Sequence, residues 1–107
     1  QNLFVVRDGV ILTPPKSNLI LPGTTCDVVL ELAAGAGMPV DIRPVSEAEL
    51  RGADEVWLTS ATREVLAVCR LDGKPIGSGA PGPAFRRMHA LFREFKQALG
   101  SGTPAHA

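Results

Sequence analysis

The chain has 107 residues, 45% of them hydrophobic, which is enough for one domain with a modest core. Eleven basic residues balance eleven acidic ones, so no net field favours nucleic acid or an anionic membrane surface. The apolar runs at 18–22 and 28–34 are far too short to span a bilayer, and no leader-type cleavage pattern opens the chain.

The first residues, Gln1-Asn2-Leu3-Phe4-Val5-Val6, enter an apolar run at once with no initiator Met, so the sequence reads as cut from a longer one. Asp8-Gly9 supplies the positive φ angles of a tight turn and predicts a hairpin of 3–7 with 10–13. Pro14-Pro15 ends it, because neither residue can donate to a ladder. Residues 25–34 carry Val28, Val29, Leu32 and Ala33 at helical spacing, with Gly35 and Gly37 as stop signals. Thr24, followed three residues later by Asp27, resembles a capping box. Val40-Asp41-Ile42-Arg43-Pro44-Val45 alternates as a strand, and Ser46-Glu47-Ala48-Glu49 opens a short second helix by the same capping logic.

Val56-Trp57-Leu58-Thr59 and Val65-Leu66-Ala67-Val68-Cys69 read as buried strands. Asp72-Gly73 predicts a second hairpin, of 65–71 with 74–76. A glycine-rich connector at 77–82 leads to Pro83, which starts the last helix where its missing N–H does no harm. Phe85, Met88, Phe92, Phe95 and Leu99 recur every three or four residues and predict its buried face. Residues 1–100 form an α/β domain on this reading, and 101–107 a disordered tail. Cys26 and Cys69 lack CxxC spacing and lie in apolar stretches, as two buried reduced thiols would, which suits a soluble, cytoplasmic setting.

Leu21-Pro22-Gly23-Thr24-Thr25, running straight into a helix, is the most informative local feature. Unpaired N–H groups and the positive end of the helix dipole meet there, glycine lets an anion approach, and two hydroxyls are at hand. A phosphate would fit, although a plain N-cap is the commoner use of such a segment. Thr59-Ser60-Ala61-Thr62 stands where a simple hairpin would prefer Asn-Gly; it can aim amides and hydroxyls into a site, or be an ordinary polar loop. His89 and His106 have no carboxylate or thiolate partner that the sequence supplies. Lys16, Lys74 and Lys96 all fall in polar surroundings unsuited to a depressed pKa. Glu47, Glu49, Asp54 and Glu55 read as helix-cap and solvated groups. From the residues alone, this is an α/β domain with a candidate anion site.

A resemblance carries the reading further. The pieces Asn2-Leu3-Phe4-Val5-Val6, Thr13-Pro14-Pro15, Ser17-Asn18-Leu19-Ile20-Leu21-Pro22-Gly23-Thr24-Thr25, Ala53-Asp54-Glu55-Val56-Trp57-Leu58-Thr59-Ser60, Arg63-Glu64-Val65-Leu66-Ala67-Val68 and Asp72-Gly73-Lys74-Pro75-Ile76-Gly77 occur in one order and spacing. Together they resemble the C-terminal half of class IV (fold-type IV) aminotransferases. The resemblance implies an α/β fold, the C-terminal part of the larger domain, which is a mixed-sheet pseudo-barrel with flanking helices. It also implies pyridoxal 5'-phosphate as cofactor, held by Asn2, Leu21, Gly23, Thr24, Thr25, Ser60 and Ala61. Within that set Gly23, Thr24 and Thr25 take the phosphate, Leu21 packs on the pyridine ring and Asn2 stands beside the cofactor. Ala61 and Thr62 face the substrate carboxylate.

Ala61 stands where relatives usually have a hydroxyl residue, and Cys26 where many have Arg or Tyr. The Schiff-base lysine, the glutamate that pairs with the pyridine nitrogen and a phosphate-binding arginine are expected upstream of Gln1, so the 107-residue chain alone is expected to be inactive. The parent is expected to be a homodimer that moves an amino group between a small amino acid and a 2-oxo acid, without nucleic acid or membrane partners. The run from Trp57 to Val68 looks closest to the D-alanine subgroup. Aminodeoxychorismate lyase, of the same fold, is the alternative, and a non-catalytic module for phosphate ligands or a partner chain is the rival from another class.

Overall fold

In the computed structural model, which describes residues 2–15, 25–59 and 64–100, Asp8 and Gly9 take φ angles of 51° and 79°. They close the turn between β1 (Asn2–Arg7) and β2 (Val10–Thr13), which pair antiparallel from Arg7↔Val10 to Val5↔Leu12. Left-handed φ at both central positions lets such a turn follow the right-handed twist of its strands. The predicted first hairpin therefore stands.

The chain returns through α1 (Thr25–Gly35) to β3 (Val40–Ile42), which lies parallel to β2. A parallel neighbour requires a crossover, so α1 runs back across the sheet from the end where β2 finishes. Its carboxyl end is closed by Gly37 N–H to Ala34 C=O at 3.3 Å and Met38 N–H to Ala33 C=O at 2.9 Å, with Gly37 at φ 72°. These are the two bonds of a Schellman cap. The strand expected over 40–45 is shorter, because Arg43 N–H completes the ladder on Thr13 C=O and Pro44 has no N–H to continue it. Next comes α2 (Glu47–Arg51), with the capping box that the sequence predicts: Glu49 N–H donates to Ser46 Oγ and Ser46 N–H to Glu49 Oε1, both at 3.1 Å.

β4 (Glu55–Thr59) flanks β1 on its other side, and β5 (Val65–Val68) flanks β4, both pairings antiparallel. The result is a mixed five-stranded sheet in the order β3-β2-β1-β4-β5. The second hairpin is smaller than expected. Residues 65–68 pair with β4, and Asp72-Gly73 joins only β6 (Arg70–Leu71) to β7 (Lys74–Pro75). Pro75 cannot donate to a longer ladder, whereas β4 offers β5 four paired positions.

Alternation along the strands divides the core between two faces. Phe4, Val6, Ile11, Trp57 and Val65 meet Val29, Leu32 and Ala33 of α1 and Met88 and Phe92 of α3 (Pro83–Gly100). On the opposite face Val5, Leu12 and Val56 pack with Ala53 and Ile76. The apolar stripe of α3 holds at Met88 and Phe92, while Phe85 and Phe95 are half-buried and Leu99 is 50% exposed. At 18 residues the helix is roughly 27 Å long, longer than the roughly 17 Å of a five-residue strand, so its last turn overshoots the sheet. Cys26 is buried as expected, but Cys69, just past β5, is only half-buried; neither forms a disulfide among the described residues.

The largest departure from the sequence reading is Glu55. It is 8% exposed rather than solvated. Its Oε1 accepts from Phe85 N–H at 2.8 Å and Trp57 Nε1–H at 3.2 Å, and its Oε2 accepts from Ala84 N–H at 3.1 Å. A strand residue thus caps the amino end of α3. Gly82 makes this approach possible, since a Cβ there would collide with the Glu55 carboxyl.

Candidate functional site

Four polar residues collect where apolar strands run out. Asn2 opens β1, Thr13 closes β2, Thr59 closes β4 and Thr25 opens α1. Antiparallel pairing brings the start of β1 beside the ends of β2 and β4, and the crossover starts α1 at the same end of the sheet. By alternation, Asn2, Thr13 and Thr59 lie on the face that α1 and α3 cover. Thr13 and Thr59 are each 2% exposed and Thr25 is 8% exposed.

Their hydroxyls finish the ladder at this end. Thr13 Oγ1–H donates to Leu3 C=O at 2.8 Å, and Asn2 N–H donates to Thr59 Oγ1 at 3.2 Å. Thr25 occupies the first turn of an 11-residue helix, where the positive end of the dipole favours an anion. Asp27, in the same turn, adds an acidic group that suits a helix start equally well.

Of the expected site residues, the structure describes Asn2 and Thr25 and sets both at this end of the sheet. Leu21, Gly23 and Thr24, and likewise Ser60, Ala61 and Thr62, lie outside the described residues. So does Lys16. The segments that carry them, 16–24 and 60–63, connect β2 to α1 and β4 to β5, and the described residues on either side of both are at this end. Thr13 is a site neighbour that its chemistry alone does not single out. Its signal in the sequence is slight, a lone hydroxyl closing the apolar run Val10-Ile11-Leu12.

Several of the described charged side chains are engaged with one another. Arg43 follows β3 and turns towards α2, where its guanidinium donates to Glu49 Oε1 at 3.0 Å, and Arg7 stands 3.7 Å from Glu49 Oε2. The Arg43 hydrogen bonds, then the Ser46 N–H, hold the Glu49 carboxyl down at about 2. Lys96 of α3 stands 3.6 Å from Glu64, beside a cavity of about 340 Å³ between α3 and the start of β5. His89, an exposed residue, lines that cavity too, with its ring 5.6 Å from that of Phe85. Lys74 is exposed on β7. Among the described residues, no cluster of His, Cys, Asp or Glu could hold a metal ion. Hydroxyls and backbone N–H groups at a helix start are instead a donor set suited to a phosphate.

Comparison with known proteins identifies the family. The family model for class IV amino-transferases matches residues 1–71. The chain is 46% identical over 93 residues to the D-alanine aminotransferase of Bacillus licheniformis, covering 87% of this chain and 33% of that protein. The solved branched-chain amino acid aminotransferase of Escherichia coli superposes with a TM-score of 0.79 at 38% identity, over 87% of this chain and 32% of that one. A branched-chain enzyme of T.th., complexed with N-(5'-phosphopyridoxyl)-L-glutamate, gives a TM-score of 0.79 at 39% identity, over 87% and 31% of the two chains. The chain thus spans about a third of the length of the curated relatives it matches.

Proposed function

The chain belongs to the class IV aminotransferases, a family that depends on pyridoxal phosphate, and on that premise we propose that it supplies the phosphate-holding end of a transaminase's cofactor site. The observation that carries this reading is the convergence of Asn2, Thr13, Thr59 and the opening turn of α1 at one end of the sheet. In this proposal the N–H groups of Gly23, Thr24 and Thr25 and the Thr25 hydroxyl hold the phosphate. Ser60 and Ala61 add amides, Leu21 lies against the pyridine ring and Asn2 borders it. Ala61 and Thr62 orient the substrate carboxylate.

When bound, pyridoxal phosphate supplies an electron sink for the α-carbon of an amino acid. This chain's own part is to anchor and orient. In this proposal a buried hydroxyl and helix-start amides bind the phosphate together with the arginine expected upstream, and they leave the proton-moving group to another part of the protein. Lys74 is exposed and Lys96 is close to Glu64, so neither stands in the enclosed apolar setting that suits a Schiff-base lysine. With the Schiff-base lysine expected upstream of Gln1 by the family resemblance, the reading assigns that chemistry to a lysine outside this chain, and the 107 residues alone should show no transamination.

The proposed reaction moves an amino group from a small amino acid to a 2-oxo acid in a cytoplasmic homodimer, with D-alanine as the favoured donor. The 46% identity to a D-alanine aminotransferase supports that choice. A second reading, a branched-chain L-amino acid donor, is supported by the 38–39% identity to branched-chain enzymes. Full-length protein assayed with D-alanine and with L-leucine, each against 2-oxoglutarate, separates the two, and turnover of neither overturns the transaminase proposal.

Thr25→Val tests the anchor. It keeps the side-chain shape and deletes one charge-assisted hydrogen bond worth roughly 1.5–3 kcal/mol, so pyridoxal phosphate should bind about one to two orders of magnitude more weakly. Unchanged affinity with a lowered Tm would reduce Thr25 to a helix cap.

A further inference from the structure

Asn2 and Leu3 pair with Thr59 and Leu58 of β4, and two hydroxyls on the strands either side of β1 add to that hold. Towards this end of the sheet the β1–β2 pairing stops at Val5↔Leu12, so the Leu3 carbonyl lies beyond the last paired position. Thr13 Oγ1 reaches across from β2 and donates to it at 2.8 Å. On the other side of β1, Asn2 N–H is taken at 3.2 Å by Thr59 Oγ1 from β4. The two threonines are nearly inaccessible, so water does not compete strongly for either bond. They bracket the Asn2-Leu3 dipeptide, one gripping its C=O on the side where the β2 pairing has ended and the other its N–H beside the β4 ladder.

We propose that Thr13 and Thr59 are a pair of positioning residues that fix the Asn2 side chain at the cofactor end of the sheet. The catalytic consequence rests on the transaminase reading, whereas the clamp on Asn2 does not.

The test uses the full-length protein with Thr59→Val and Thr13→Val, which delete a hydroxyl at near-constant volume, and Thr59→Ser, which retains it. Hydrogen exchange at Asn2 N–H reads the clamp directly. Thr59→Val should speed it about tenfold, and Thr59→Ser should restore protection. Unchanged exchange in Thr59→Val, or equal acceleration by Val and Ser, overturns the proposal.

In the same proteins kcat/KM should fall roughly tenfold for each Val variant, mostly in kcat, with pyridoxal phosphate still bound. Thr59→Ser should recover it. Asn2→Ala combined with Thr59→Val should be no worse than Asn2→Ala alone, since both remove the same positioned side chain. Multiplying losses, or full activity per folded holoprotein despite a lowered Tm, overturn the catalytic role of the pair. If the wild type neither binds pyridoxal phosphate nor transaminates while exchange behaves as stated, the functional reading fails and the clamp on Asn2 stands.

Discussion

Replacing Glu55 with glutamine removes one charge and one acceptor from a site that uses both carboxylate oxygens. Gln keeps an oxygen for Phe85 N–H and Trp57 Nε1–H, but it turns an NH2 group towards Ala84 N–H, donor against donor. A hydrogen bond to a charged group is worth roughly 1.5–3 kcal/mol, and breaking a buried charged contact costs about 3–5 kcal/mol. The two ranges meet near 3 kcal/mol, which is the expected loss for Glu55→Gln. Glu55→Ala should cost more, because it strands three donors and opens space beside Gly82. Trp57, the chain's one tryptophan, donates its indole N–H to Glu55 and so serves as reporter in urea unfolding, by the shift of the midpoint at constant slope. A Glu55→Gln protein within about 0.5 kcal/mol of wild type, the usual range for surface changes, would refute the view that this carboxylate anchors α3.

Three further outcomes follow from other parts of the fold. Phe92→Ala should cost ~3–5 kcal/mol because the ring is 4% exposed, whereas Leu99→Ala on the overshooting turn should stay within about 0.5 kcal/mol; chemical denaturation of both variants checks the contrast. Gly77→Ala should destabilise by more than about 1 kcal/mol, since φ there is 56° and a Cβ would collide with the Asp54 carbonyl; equal stability would place the connector elsewhere. The Glu49 carboxyl, held down at about 2 from 4.5, stabilises the fold fully above pH about 4.5 and loses that contribution as pH falls towards 2. Carbon-detected titration of Glu49 should show the low midpoint, and Arg43→Met should return it towards 4.5 and flatten the acid limb of stability.

What could be read from the sequence was local. Asp8-Gly9 dictated a turn, Ser46 and Glu49 a capping box, and Pro83 with Met88 and Phe92 a helix with one buried face, because each signal acts within a few residues. Glu55 could not be read this way. Its partners Ala84 and Phe85 lie 29 and 30 residues on, and beside Asp54 it resembles a solvated acid. The second hairpin misled for a related reason, since Asp72-Gly73 fixes a turn without fixing how far its strands pair, and β4 competed for residues 65–68. For the site, the family resemblance named Asn2 and Thr25, whereas the role of Thr13 emerged only when β1 and β2 lay side by side.

The central place of β1 also bears on the order in which the chain assembles. Its hairpin with β2 closes through two residues and can form early, but its other partner, β4, arrives from far along the chain, with Asn2 and Thr59 57 residues apart. The entropy of closing so long a loop is spent before the helix-side core is complete. Weakening the Asp8-Gly9 turn, by Gly9→Ala for example, should therefore slow folding, whereas trimming α3 at Phe92 should chiefly hasten unfolding. Stopped-flow measurements on the two variants would show the effects on opposite limbs of the chevron, and the same limb for both would mean that strand pairing and helix docking occur as one event.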